Sequence, residues 1–387
     1  MLYFDHAATT PPLPEVIDSV ARTMAQYFGN PSSLHRLGKE AETLLRRARE
    51  VVASTLKAHP DEIIFTSGGT EGNNLAIKGA AWQYRSRGRH IITTQIEHPS
   101  VYECCRQLER EGYEVTYLPA DASGRIDPEA VRAAIRKDTI LVSVMHVNNE
   151  TGAIQPVEEI GRMLRNEPRI IFHVDAVQSV GKLELEPARA GIDLMTASAH
   201  KIHGPRGVGF LYCREPIRLT PLLSGGGQEG GVRSGTEALP LITGMTKAFR
   251  LAAESLSENR AAMYRLRARL VQGIGDIPGL RLTGAREAER MAPHIVHFTM
   301  PGVKSEIFVH ALEEYDIYVS TRSACSSGSD EPSRVLLAMG MPPEEAASGI
   351  RISLSPQHTE EDIDVLLDRL RTVAERMRAL QKQGGKK

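Results

Sequence analysis

Short apolar runs alternate with amphipathic stretches along most of the chain, and that alternation sets the first expectation. Ile63 to Phe65, His90 to Thr93, Val115 to Leu118, Ile140 to Val144 and Ile170 to Val174 read as strands divided by helical stretches. Such spacing predicts βαβ units and an α/β fold with a mostly parallel central sheet sandwiched by helices. Glu40 to Leu56 carries Leu44/Leu45, Ala48, Val51/Val52 and Leu56 at helical spacing. Pro14 to Tyr27 predicts a second helix, stopped by the turn-forming Gly29-Asn30-Pro31. Met245 through Gln272 reads as one long connecting helix. Beyond it a smaller αβ unit has strands near His294 to Phe298 and Ile317 to Ser320. A helix from Glu360 to about Gln381 closes the chain, with Thr359 and Asp362 as its capping box.

A chain of 387 residues exceeds one small core. The expected division is a large domain over 13–255 and a small one from 1–12 and 256–387. A net charge of −1 offers no electrostatic footprint for nucleic acid or anionic membrane, so a small neutral or zwitterionic substrate fits better. No apolar run approaches membrane-spanning length and the first residues lack a leader pattern, which predicts a cytosolic protein. The four cysteines, Cys104, Cys105, Cys213 and Cys325, show neither disulfide-framework nor paired C-x-x-C metal spacing. Each is expected to be a free thiol.

Candidate chemistry gathers at strand ends, where ligands of such sheets collect. Lys201 stands between the apolar runs Leu194 to Ala197 and Val208 to Tyr212, on a link too short for a lysine to snorkel freely. A buried lysine there is a nucleophile toward aldehydes, forming a Schiff base; the bland alternative is a surface lysine on a tight turn. Asp175 ends another apolar strand and needs a cationic partner, such as a protonated pyridine nitrogen, unless it caps a helix. Gln178 lies one turn later. Gly69 and Thr70, between a strand and a helix, together with Ser198 and His200, form a phosphate cradle. His98 is placed to stack on a ring and move protons, or is merely structural. Gly204 to Gly209 precedes a strand and Gly225 to Gly231 lacks Gly-Lys-Ser/Thr, so neither is a nucleotide loop. Arg351, isolated in an apolar strand, clamps a carboxylate or sits in a structural ion pair. Cys325 occupies a small, polar loop suited to a reactive thiol; the other three cysteines are expected to be inert.

Together, Asp5 to Pro11, Phe65 to Glu71, Glu97-His98, Met145 to Glu150, His173 to Gln178, Ser198 to Lys201, Arg233 to Thr236 and Ser323 to Cys325 resemble the cysteine desulfurases of NifS/IscS type. Those are fold-type I, class V pyridoxal-phosphate enzymes, and the resemblance runs over nearly the whole chain. It implies that pyridoxal 5'-phosphate is the cofactor and that Lys201 carries its aldehyde. It further implies that Asp175 and Gln178 address the ring and that Thr70, Ser198 and His200 hold the phosphate. Thr236 is implied to come from the second subunit of a homodimer. Asn148 is implied to contact cofactor or substrate, His98 to act as acid and base, and Arg351 to bind the carboxylate of L-cysteine. Cys325 is implied to accept the sulfur as a persulfide and pass it to an acceptor protein for Fe–S assembly or tRNA thiolation. The sequence departs from the pattern at Gly230 and at Arg322, which stands three residues before Cys325 and is expected to favour its thiolate. A selenocysteine lyase and a non-catalytic sulfur-protein scaffold are the competing readings.

Overall fold

In the computed structural model, residues 1–321 and 332–384 are described. The central element is a seven-stranded sheet in the order Ile63–Thr66, Gly209–Cys213, Leu194–Ser198, Ile171–Asp175, Thr139–Ser143, His90–Thr94, Glu114–Leu118. Neighbouring strands are parallel except where Gly209–Cys213 pairs, antiparallel on both sides.

Why the strands read as continuous apolar runs is visible in their two faces. Along each, successive side chains point to opposite sides of the sheet, and here both sides are covered. Ile63, Phe65, Ile92, Val142, Phe172, Met195 and Phe210 enter one core, packed on the helices Arg36–Leu56 and Leu239–Glu254. Ile64, Ile91, Leu141, Ile171, Leu194 and Leu211 enter the other, packed on Gly69–Gln83 and Pro99–Arg110.

A separate core forms around the antiparallel sheet Gly349–Ser353, Ile295–Thr299, Arg281–Leu282. It joins Phe4 from the N-terminal arm, Leu266 and Leu270, and the stripe Ile363, Leu366, Leu370, Val373 and Met377 of the last helix. Val335, Leu336, Met339 and Ala346 nevertheless pack on the large core, so the segment after residue 332 bridges the two.

Some expected boundaries move. The helix begins at Arg36, four residues before Glu40, because His35 Nδ1 accepts from Gly38 N and caps it. The expected single connector is two helices, Leu239–Glu254 and Leu256–Gly275, separated at Ser255. The last helix runs from Glu360 to Gly384, and its capping box forms as expected: Thr359 N donates to Asp362 and Asp362 N to Thr359 Oγ1. No helix among the described residues is long and apolar enough to cross a membrane.

Candidate active site

Polar residues at the carboxyl ends of the strands converge on a cavity of about 490 Å³. Lys201 ends a single 3-10 turn, Ala199–Lys201, squeezed between the antiparallel strands Leu194–Ser198 and Gly209–Cys213. Its Nζ donates to the carbonyls of Ala7 at 2.6 Å and Ala8 at 2.7 Å. The arm that supplies those carbonyls is itself fastened to the turn, because Thr10 N and Oγ1 both donate to His200 O at 2.8 Å. Lys201 therefore projects into the cavity and is not a surface lysine.

Asp175 is buried at its strand end, its Oδ1 accepting from Val177 N at 3.0 Å and its Oδ2 from Asn73 Nδ2 at 2.7 Å. Asn73 Nδ2 also donates to Ser100 Oγ at 2.9 Å, and that oxygen stands 2.8 Å from His98 Nδ1. Since His98 Nδ1 also accepts from Ser100 N, the neutral imidazole carries its proton on Nε2. Burial lowers the His98 pKa, Asp175 opposing and Lys201 and Arg334 reinforcing, so the ring is neutral at neutral pH. A continuous chain of hydrogen bonds thus links Asp175 to His98 through two residues the sequence reading passed over.

The glycine turn fits an anion. Gly68 holds φ +150°, and a Cβ on Gly69 would stand 2.9 Å from Val177 Cγ2. No side chain caps the helix that starts at Gly69, so its first N–H groups are available to a phosphate, with Thr70, Ser198 and His200 lining the same end. Gln178 lines the cavity as well, its Nε2 donating to Ala7 O at 2.9 Å and its Oε1 lying 3.2 Å from Nε2 of the fully buried His294. Arg351 is almost fully buried against Asp5 (2.9 Å) and Asn149 O (2.7 Å), realising the ion-pair alternative. It still reaches the cavity, and its Nε makes no hydrogen bond among the described residues.

One expected contact is corrected. Asn148 does not line the cavity: its Oδ1 accepts from Glu150 N and Thr151 N, and its Nδ2 donates to Ile96 O. Its amide is spent on closing a turn, and the neighbouring Asn149 faces the cavity instead. Thr236 is exposed and outside its own chain's cavity. Cys325 and Arg322 lie outside the described residues.

Two buried ionisable groups beside the site have no role assigned from the sequence, Lys182 and the Glu97 that precedes His98. Lys182 donates to Lys201 O at 2.8 Å, and burial, then repulsion from Lys201, brings it down to about 7. Glu97, next to His98, accepts from Thr94 Oγ1 and Met145 N. Burial pushes its carboxyl up to about 8 against those hydrogen bonds. Between its ordinary value of 4.5 and about 8 the folded state holds a proton that the unfolded state has released, so folding stability falls as pH rises through that window. Glu97→Gln should remove this dependence and be the more stable protein at pH 8 by on the order of 3–5 kcal/mol, with little difference at pH 4.5. Urea unfolding at the two pH values measures it; equal wild-type and variant pH dependence would contradict a neutral Glu97.

A lysine set in a cavity with a strand-end carboxylate, an imidazole and an uncapped glycine turn defines, on this sheet, a pyridoxal-phosphate enzyme of the fold-type I class. The chain belongs to the class-V aminotransferase family, whose model matches residues 2–366, and within it to the NifS/IscS-like group. It is 48% identical to a cysteine desulfurase IscS of Salmonella arizonae, over 98% of this chain and 94% of that protein. A solved NifS-like protein superposes with a TM-score of 0.90 at 38% identity, covering 97% of this chain and 99% of the other. The solved SspA in complex with cysteine gives 0.81 at 37% identity, over 93% and 100%.

Proposed function

We propose that this protein is a cysteine desulfurase that splits L-cysteine into L-alanine and a sulfur held as a persulfide on Cys325. The observation that carries the reading is the shared cavity of Lys201, Asp175, His98 and Arg351, in a chain 48% identical to a cysteine desulfurase over nearly its whole length. When bound, pyridoxal phosphate supplies a reactive aldehyde and an electron-withdrawing ring. Lys201 would hold the aldehyde and later carry a proton at its Nζ. Asp175, fixed at both carboxylate oxygens, would face the ring nitrogen. Gly69, Thr70, Ser198 and His200 would take the phosphate. Arg351, which reaches the cavity, would take the substrate carboxylate through its guanidinium. The neutral His98 would donate from Nε2, its orientation set by Ser100. At Cys325 an S–S bond would form as the C–S bond of cysteine breaks; the electron pair stays with carbon, which takes a proton to give alanine.

Within this reading the two cores are separate domains, residues 13–255 and 1–12 with 256–387, the second carrying the Cys325 segment. A homodimer completes the site; the exposure of Phe28 and Leu34, and of Thr236 outside its own cavity, supports it. The sulfur passes to an acceptor protein in the cytosol, a setting that suits the free thiols of Cys104, Cys105 and Cys213. The full-length protein loaded with pyridoxal phosphate should release sulfide and alanine in equal amounts from L-cysteine when a thiol reductant is present. Alanine without matching sulfide, or neither product, would refute the activity.

A further inference from the structure

Glu71 is an awkward residue in the proposed phosphate cradle. It follows Thr70, sits in the first turn of the helix Gly69–Gln83 and lines the same cavity. Burial alone would push its carboxyl up, but hydrogen bonds from Arg233 and Ser67 outweigh that and hold it below its usual range. It is therefore an anion at neutral pH, placed where a second, doubly charged anion is expected. Its Oε2 accepts from Ser67 N at 2.7 Å, which withdraws one main-chain N–H from the turn.

What offsets this charge comes from 162 residues away in sequence. Arg233 Nε donates to Glu71 Oε1 at 2.8 Å and Nη2 to Oε2 at 3.4 Å, both side chains mostly shielded from water. The segment bearing Arg233 is anchored at a second point. Glu229 receives a two-pronged hydrogen bond from Arg49 (2.8 and 2.7 Å) and accepts from Phe65 N, the main chain that leads into the glycine turn. Gln228 Oε1 accepts from Gly235 N and closes the segment on itself. Arg233 is thus delivered to Glu71 by a braced loop, and a shielded two-point pair of this kind keeps its charges together.

We propose that Arg233 is a positioning residue that sets the charge of the phosphate cradle: as the counter-ion of Glu71 it cancels a fixed negative charge there and so makes the site selective for the phosphorylated cofactor. The inference rests on the reading of this cavity as the pyridoxal-phosphate site. Removing Arg233 exposes an unpaired carboxylate to the phosphate, whereas the aldehyde and ring, addressed by Lys201 and Asp175, feel little of it.

The test compares the affinities of pyridoxal phosphate and unphosphorylated pyridoxal, titrated by their visible absorbance into the full-length protein stripped of cofactor. Arg233→Gln should weaken pyridoxal phosphate about tenfold, equivalent to ~1.4 kcal/mol, and leave pyridoxal unchanged. Arg233→Lys, which keeps the charge, and the double variant Arg233→Gln/Glu71→Gln, which removes both charges, should each recover the wild-type preference. Equal weakening of both ligands by Arg233→Gln, or a double variant no better than Arg233→Gln, would overturn the proposal while leaving the site assignment standing. Should wild type show no preference for the phosphorylated ligand, or should borohydride reduction fail to fix the ligand on Lys201, the site reading itself fails and the proposal with it.

Discussion

Lys201→Ala is expected to lose the visible absorbance band of the pyridoxal-phosphate-loaded protein and at least about a thousandfold in sulfide release, the order of loss seen when a covalent nucleophile is removed. The size follows from position. The amine is held within 2.7 Å of two main-chain carbonyls of an arm stapled to the same turn, so its approach to the cavity is fixed and not sampled from solvent. The buried Lys182 nearby is no substitute, because its Nζ is committed to Lys201 O. The variant should remain folded, since the side chain it truncates is only half-buried and the surrounding strands keep their ladder bonds. Absorbance spectra, sulfide assay and thermal unfolding together measure this. A retained band with unchanged melting would show that the cofactor is held elsewhere.

Cys325→Ala should be the second large loss, on the order of a hundredfold or more in sulfide release, with the cofactor band of the unreacted protein intact. The remaining cysteines cannot replace it chemically. Cys104 and Cys213 are pushed up to about 12 by burial, and Cys105 is raised well above its ordinary value, so all three stay thiols at neutral pH. Alkylation followed by mass spectrometry should accordingly mark Cys325 first in the wild type. If the alanine variant turns over L-cysteine at the wild-type rate, a lyase without a thiol acceptor, such as a selenocysteine lyase, becomes the better reading.

How much of this was legible in the chain differs between strand and site. The central strands stand out because both of their faces are buried, which favours near-continuous apolar runs such as Ile140 to Val142. Lys201 and Asp175 stand out for the complementary reason: a charge ending such a run is costly unless something meets it. Asn148 and Asn149 illustrate the limit. Two adjacent residues of identical chemistry differ only in the direction of their side chains, and the turn that turns Asn148 inward is closed by its own hydrogen bonds to Glu150 and Thr151. The break at Ser255 is missed in the same way, although the stretch around it, Glu254 to Arg260, holds a single apolar residue, Leu256.

The sequence by itself determined the alternation of strand and helix, the turns between them and the residue types gathered at strand ends, since these follow from local periodicity and from the cost of burying charge. Only the tertiary structure decided which distant groups meet. Asp5 pairs with Arg351 across 346 residues, Asp175 reaches His98 through Asn73 and Ser100, and Arg233 finds Glu71. Those pairings depend on strand register and loop path, and the free energy that selects them is shared among the whole packed core, so no local stretch of the chain carries it.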